Sequence, residues 1–162
     1  STLSFTAMDS SKYKSYLLLL YNLTTSTHNQ TIRMQTTANG SSFDSGSTDY
    51  GYRFNYNGGT LSAFNDAYGI LALNSGGQYR ATAGGLKATI LILDPHNTGT
   101  ESSIMFQFMN FWGNMNDNRP PDAGDGCFIR KSQAAIQGLQ IFAGSGNIRA
   151  GAKMTAYGIT NS

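Results

Sequence analysis

The stretch Ala135-Ile-Gln-Gly-Leu-Gln-Ile-Phe-Ala-Gly-Ser-Gly-Asn-Ile-Arg-Ala-Gly-Ala-Lys-Met-Thr-Ala-Tyr-Gly-Ile159 reads as strand, glycine-rich turn, strand. Leu139, Ile141 and Ala143 alternate with Gln140 and Phe142, the period of two that belongs to a strand with two unlike faces. Gly144, Ser145, Gly146 and Asn147 then supply residues that accept positive φ in a reversal. On the return, Lys153, Thr155 and Tyr157 alternate with Ala152, Met154 and Ala156. The expectation is a β-hairpin, and since a lone hairpin is marginal in water, it requires a larger sheet around it.

Working outward, the same period recurs along the chain. Leu3-Ser-Phe-Thr-Ala7 is a short alternating strand, followed by a turn at Asp9-Ser-Ser11. Tyr16-Leu-Leu-Leu-Leu-Tyr-Asn-Leu23 is apolar on both faces, as expected of a strand between two packed layers. Thr31 to Thr36 places Ile32 and Met34 inward with Arg33 and Gln35 outward. Tyr50, Tyr52, Phe54 and Tyr56 share one face, read as a packed one, and Asn57-Gly-Gly is a hairpin signal. Leu61 to Asp66 is short and ambiguous. Ala67 to Leu73, Leu86 to Leu93 and Glu101 to Met109 are strands, the last with Ile104, Phe106 and Phe108 opposite Met105, Gln107 and Met109. Asn114 to Gly126 reads as the longest irregular stretch.

No segment shows a 3.6-residue period with helix caps. The fold class expected is all-β: an antiparallel β-sandwich of jelly-roll type with nine or ten strands, forming a single domain over residues 1–162. A chain of this length buries roughly 70% of its extended surface, enough for a core without staples. Charged residues make up 12% of the chain, about half the usual share, and Gly, Ser, Thr and Asn carry the polarity instead. Such a surface suits contact with neighbouring copies.

Composition narrows the function. The net charge is +2 and the basic residues are scattered, with no run longer than Arg130-Lys131, so no nucleic-acid stripe is present. Leu17 to Leu20 is the longest strongly apolar run, far short of the ~20 residues of a helical membrane span, and no membrane insertion is expected. Cys127 is the single cysteine, which excludes an internal disulfide. His28 and His96 are the only histidines, and neither accompanies a nucleophile motif, so the chain is read as non-enzymatic and without a cofactor. One cysteine and two distant histidines leave no zinc site. Asn116-Asp-Asn118 and Asp122-Ala-Gly-Asp125 collect oxygen ligands suited to calcium, though at a spacing unlike an EF-hand, and Asx turns are the plainer account.

The order of elements resembles a class of small β-sandwich domains in tailed-bacteriophage virion proteins. The matching elements are Leu3-Ser-Phe-Thr6, Tyr13-Lys-Ser-Tyr16 with Leu17 to Leu20, Thr31-Ile-Arg-Met34, Asn39-Gly40 and Asp49-Tyr-Gly-Tyr52. The most specific is the ending, Ser145-Gly-Asn-Ile148 through Gly151 to Tyr157-Gly-Ile159. The resemblance implies a location on the virion surface, assembly as a homotrimer, and phage capsid or tail proteins as partners. A complete chain without attachment region or shaft fits a capsid decoration protein; a fragment of a longer fibre fits a receptor-binding tip.

For that second reading, the candidate ligand-binding residues are Trp112, whose indole stacks on a pyranose ring if exposed, with Asn114, Asp117 and Arg119 as hydrogen-bonding neighbours toward host glycan. For self-association, Met105, Met109, Met115 and Phe111 suit an adaptable contact, and an internal packing role accounts for them equally well.

Overall fold

A computed structural model describes residues 1–27, 30–56, 59–72, 85–110 and 122–160. Among them there are eleven strands: β1 (Leu3–Phe5), β2 (Ser15–Leu23), β3 (Ile32–Thr37), β4 (Tyr50–Tyr56), β5 (Gly59–Asp66), β6 (Gly69–Ala72), β7 (Leu86–Leu93), β8 (Ser102–Asn110), β9 (Asp122–Arg130), β10 (Gly138–Ala143) and β11 (Lys153–Ile159). They form a four-stranded sheet, β1-β10-β3-β6, against a seven-stranded sheet, β11-β2-β7-β8-β9-β4-β5. Every pairing is antiparallel. The chain is thus an all-β sandwich, as the period of two predicts.

The facing sides carry the core. Tyr16, Leu18 and Leu20 of β2, Ile90 and Ile92 of β7, Ile104, Phe106 and Phe108 of β8, and Phe128 of β9 meet Ile32, Met34, Leu139 and Ile141 from the smaller sheet. The expected inward and outward positions of β8 and β10 hold. On β3, Ile32 and Met34 are buried as expected, but Gln35, expected outward, is buried as well, donating to Ala67 O and accepting from Gln140 Nε2. β4 also behaves as read, with Tyr50 and Phe54 fully buried and Tyr52 and Tyr56 packed against the core.

Three further expectations are corrected. The closing hairpin does not form: β10 pairs β1 and β3 in one sheet, whereas β11 pairs β2 in the other. Residues 144–152 therefore cross the sandwich instead of reversing within a sheet. The β2–β3 connection crosses beside them, joined by a Thr25–Ile148 bridge and by hydrogen bonds from Ser26 N to Asn147 O (2.8 Å) and Arg149 N to Thr24 O (2.9 Å). Ile148 is buried there, and Gly146, at φ 71°, leaves no room for a Cβ beside Ser26 and Thr27.

Second, the stretch read as irregular up to Gly126 contains the start of β9 at Asp122. Asp and Gly are poor strand formers, but here the glycines fit aromatic neighbours. Gly126 lies between Phe106 and Phe54, and Gly124 between Phe108 and Tyr56. The Phe54 ring stacks on Phe108 at 5.4 Å and on Tyr56 at 5.1 Å between centroids. Rings occupy the space that side chains at 124 and 126 would need.

Third, β2 does not lie between two packed layers. Leu18 and Leu20 face the core, but Leu17, Leu19 and Tyr21 face outward from the seven-stranded sheet. A register shift after Leu20, with Asn22 at φ 54°, ends that alternation.

Tyr50 joins the two sheets. Its hydroxyl accepts a hydrogen bond from Thr36 N (2.7 Å) and donates to Asp44 O (3.2 Å). Burial pushes its pKa up to about 12. At neutral pH, Tyr50→Phe is expected to cost about 1–3 kcal/mol, because the buried Thr36 N–H loses its acceptor. The wild type gains no pH dependence from Tyr50 below pH ~10, where the hydroxyl is protonated folded and unfolded. Between about 10 and 12 only the unfolded chain ionises, so wild-type stability falls by on the order of 2–3 kcal/mol. Urea titrations from pH 8 upward should show the two proteins converging; parallel curves would refute this account.

Candidate functional site

The surface that the fold leaves available is the outer face of the seven-stranded sheet. Its cross-strand register sets side chains in rows. One row runs Tyr157–Leu17–Leu91–Met105–Cys127–Arg53 from β11 to β4. A neighbouring row holds Ile159, Ser15, Leu93, Ser103 and Ile129. On the other side of the first row lies a mostly polar one: Leu19, Thr89, Gln107, Asp125, Asn55 and Thr60. Beyond it stand Tyr21, Lys87, Met109 and Ala123.

The apolar rows are unusually open to water. Tyr157 is 51% exposed, Met105 50%, and Leu93, Ile159 and Met109 are exposed as well. Of the methionines expected at a contact, Met105 and Met109 therefore lie on the surface and not in the core; Met115 and Phe111 lie outside the described residues. Leu93, Tyr157 and Ile159 lie together at the corner where β11 ends the sheet, while Phe64, the most exposed of all, stands on β5 at the opposite end. Both sheet ends are edges, but they differ. On β5, Lys131 caps the edge, with Nζ 4.2 Å from the centre of the Phe64 ring and hydrogen-bonded to Phe64 O and Asn65 Oδ1. On β11 no such cap is present among the described residues.

The polar row is partly knit together. Asn55 Nδ2 donates to Asp125 Oδ2 at 3.3 Å and Thr60 Oγ1 donates to Asn55 Oδ1 at 3.0 Å. Three adjoining depressions, of about 570, 330 and 370 Å³, open along it and share Asp125.

The sequence-predicted glycan residues Trp112, Asn114, Asp117 and Arg119 lie outside the described residues, as does His28. His96 is half-buried against Tyr16, with ring centres 6.3 Å apart, and burial pushes its pKa down. Its Nε2 has no hydrogen-bond partner, so it addresses no nucleophile among the described residues. Asp122 and Asp125, grouped in sequence as calcium ligands, stand three positions apart on β9 and so point to opposite faces of the sheet. They do not share one ion. Among the described residues no three His, Cys, Asp or Glu side chains gather as a metal site.

The row arrangement was not readable from the sequence. Alternation shows that Gln107 faces outward from its strand, but Asp125 falls in the stretch read as irregular, and only the register between strands places the two side by side.

No family model and no curated protein matches the chain. Among solved structures, the carbohydrate recognition domain of Emp47p is 12% identical, with 98% of this chain and 78% of that chain covered, at a TM-score of 0.20. A likeness of that size carries no weight for fold or function.

Proposed function

We propose that the chain is a non-catalytic structural protein on the outside of a tailed-phage virion, assembled as a homotrimer and attached to capsid or tail proteins. The observation that carries the self-association is the β11 corner, where an uncapped edge strand meets the exposed Tyr157, Ile159 and Leu93. An open edge beside an apolar patch is a template for another chain unless something covers it. The opening and closing motifs quoted above support the virion setting, and trimerisation is the stoichiometry that the resemblance implies. The strand order supports the jelly-roll reading: setting aside the β7–β8 hairpin and β11 leaves two four-stranded layers, β1-β10-β3-β6 and β2-β9-β4-β5.

Sedimentation equilibrium tests the association. The wild type is expected to sediment as a trimer. Leu93→Lys with Tyr157→Lys should shift it toward monomer, each change weakening the contact by about 2 kcal/mol, or roughly thirtyfold. Both positions are exposed, so the thermal melt at a concentration where the wild type is also dissociated should be unchanged. A wild type that remains monomeric at high concentration would remove this reading. Cryo-electron microscopy of particles carrying the protein would then show whether it sits on capsid or tail.

A further inference from the structure

We infer that the polar row on the outer face of the seven-stranded sheet is a binding trough for an extended, uncharged saccharide chain. The floor is Thr89, Gln107, Asp125, Asn55 and Thr60, one residue from each of five successive strands. With strands ~4.8 Å apart, those five positions and Leu19 of β2 span about 24 Å, room for several sugar residues in line. Leu17, Leu91 and Met105 flank the floor on one side, Tyr21 and Met109 on the other.

The chemistry of floor and walls selects the ligand. A sugar hydroxyl both donates and accepts, and the floor offers carboxamides, hydroxyls and a carboxylate that match both roles. The Gln107 carboxamide and the Thr89 hydroxyl make no hydrogen bond within the described residues, while Asn55 is already held by Asp125 and Thr60. Fixed groups beside free ones suit a ligand that completes the set. The C–H faces of pyranose rings would rest on the apolar walls, with Tyr21 exposed enough to stack on one. Other ligand classes fit less well. Polyanions need cations along the floor itself, and the one charged floor residue is the carboxylate Asp125, with Lys87 and Lys153 beyond it on the Tyr21 side. An extended peptide takes main-chain hydrogen bonds at a sheet edge, whereas this trough crosses the middle of the sheet and presents side chains.

The trough adjoins the β11 corner, its wall residues Leu17 and Leu91 continuing the row that starts at Tyr157, but it does not depend on the virion reading. The test titrates isotopically labelled protein with neutral glucose-, mannose- and galactose-series oligosaccharides of increasing length, followed by amide shifts and calorimetry. Saturable binding that tightens with chain length in at least one series is expected, with shifts confined to the outer-face positions of β2, β7, β8, β9, β4 and β5. Gln107→Ala and Asp125→Ala should each weaken it about tenfold. Leu93→Lys should leave it unchanged, even where that variant dissociates the oligomer. Should one trough variant fail to fold, the other and the wild-type shift map still decide. No binding across the series, binding indifferent to both trough variants, or binding only to an anionic polymer such as heparin would overturn the inference.

Discussion

Gly126→Ala is expected to cost about 3 kcal/mol or more, enough to endanger folding of a marginally stable domain. The reason is positional. A Cβ at 126 would lie 2.6 Å from the Arg53 carbonyl oxygen and 2.6 Å from Phe106 Cζ. The ring could turn aside at some loss of stacking, but the carbonyl belongs to the paired strand β4, so relief requires the ladder itself to open. Alanine is better suited to strands than glycine in general, and that preference is overwhelmed here. Urea denaturation read by tryptophan-independent circular dichroism would measure the loss. A cost under 1 kcal/mol would mean that the aromatic layer is far more compliant than its geometry implies.

The second large effect concerns Arg130. Its side chain is 4% exposed, and Nε donates to Asp44 Oδ2 at 2.6 Å while Nη1 donates to Ala134 O at 2.6 Å. It ties the end of β9 to the 38–49 loop and to the segment leading to β10. Asp44→Ala is expected to cost about 3–5 kcal/mol, because a guanidinium stays buried with its counter-charge gone. Arg130→Met removes the charge and keeps most of the volume, while the partly exposed Asp44 can hydrate, so about 1–2 kcal/mol is expected. The ordering is the test. If thermal melts show the arginine variant to be the weaker of the two, the pair does not act as described.

What the sequence revealed follows what each signal depends on. Alternation is local, so Ile104, Phe106 and Phe108 could be placed inside, and Met105 and Met109 outside, from β8 alone. Pairing is not local. The glycine-rich run after Ala143 announces a reversal of direction, which is equally consistent with a hairpin and with a passage from one sheet to the other. What decides is Ile148, an apolar residue in the turn that anchors in the core. β9 was hidden because Asp122, Gly124, Asp125 and Gly126 look like loop residues until the facing rings are known. The trough was hidden for the same reason: its floor takes one residue from each of five strands, and no window of sequence contains them together.

The paired crossings have a consequence for the time course of folding. β2 finds its edge partner only in β11, with Leu20 opposite Met154, and β3 finds its own in β10, with Met34 opposite Ile141. These contacts join segments far apart in sequence, so both layers stay incomplete while a nascent chain lacks residues 138–159. Topology of this kind is slow, in the millisecond-to-second range, and leaves strand edges exposed meanwhile. Synthesis is therefore the period when this fold is most vulnerable to aggregation, and the emergence of β10 and β11 is the event that ends it.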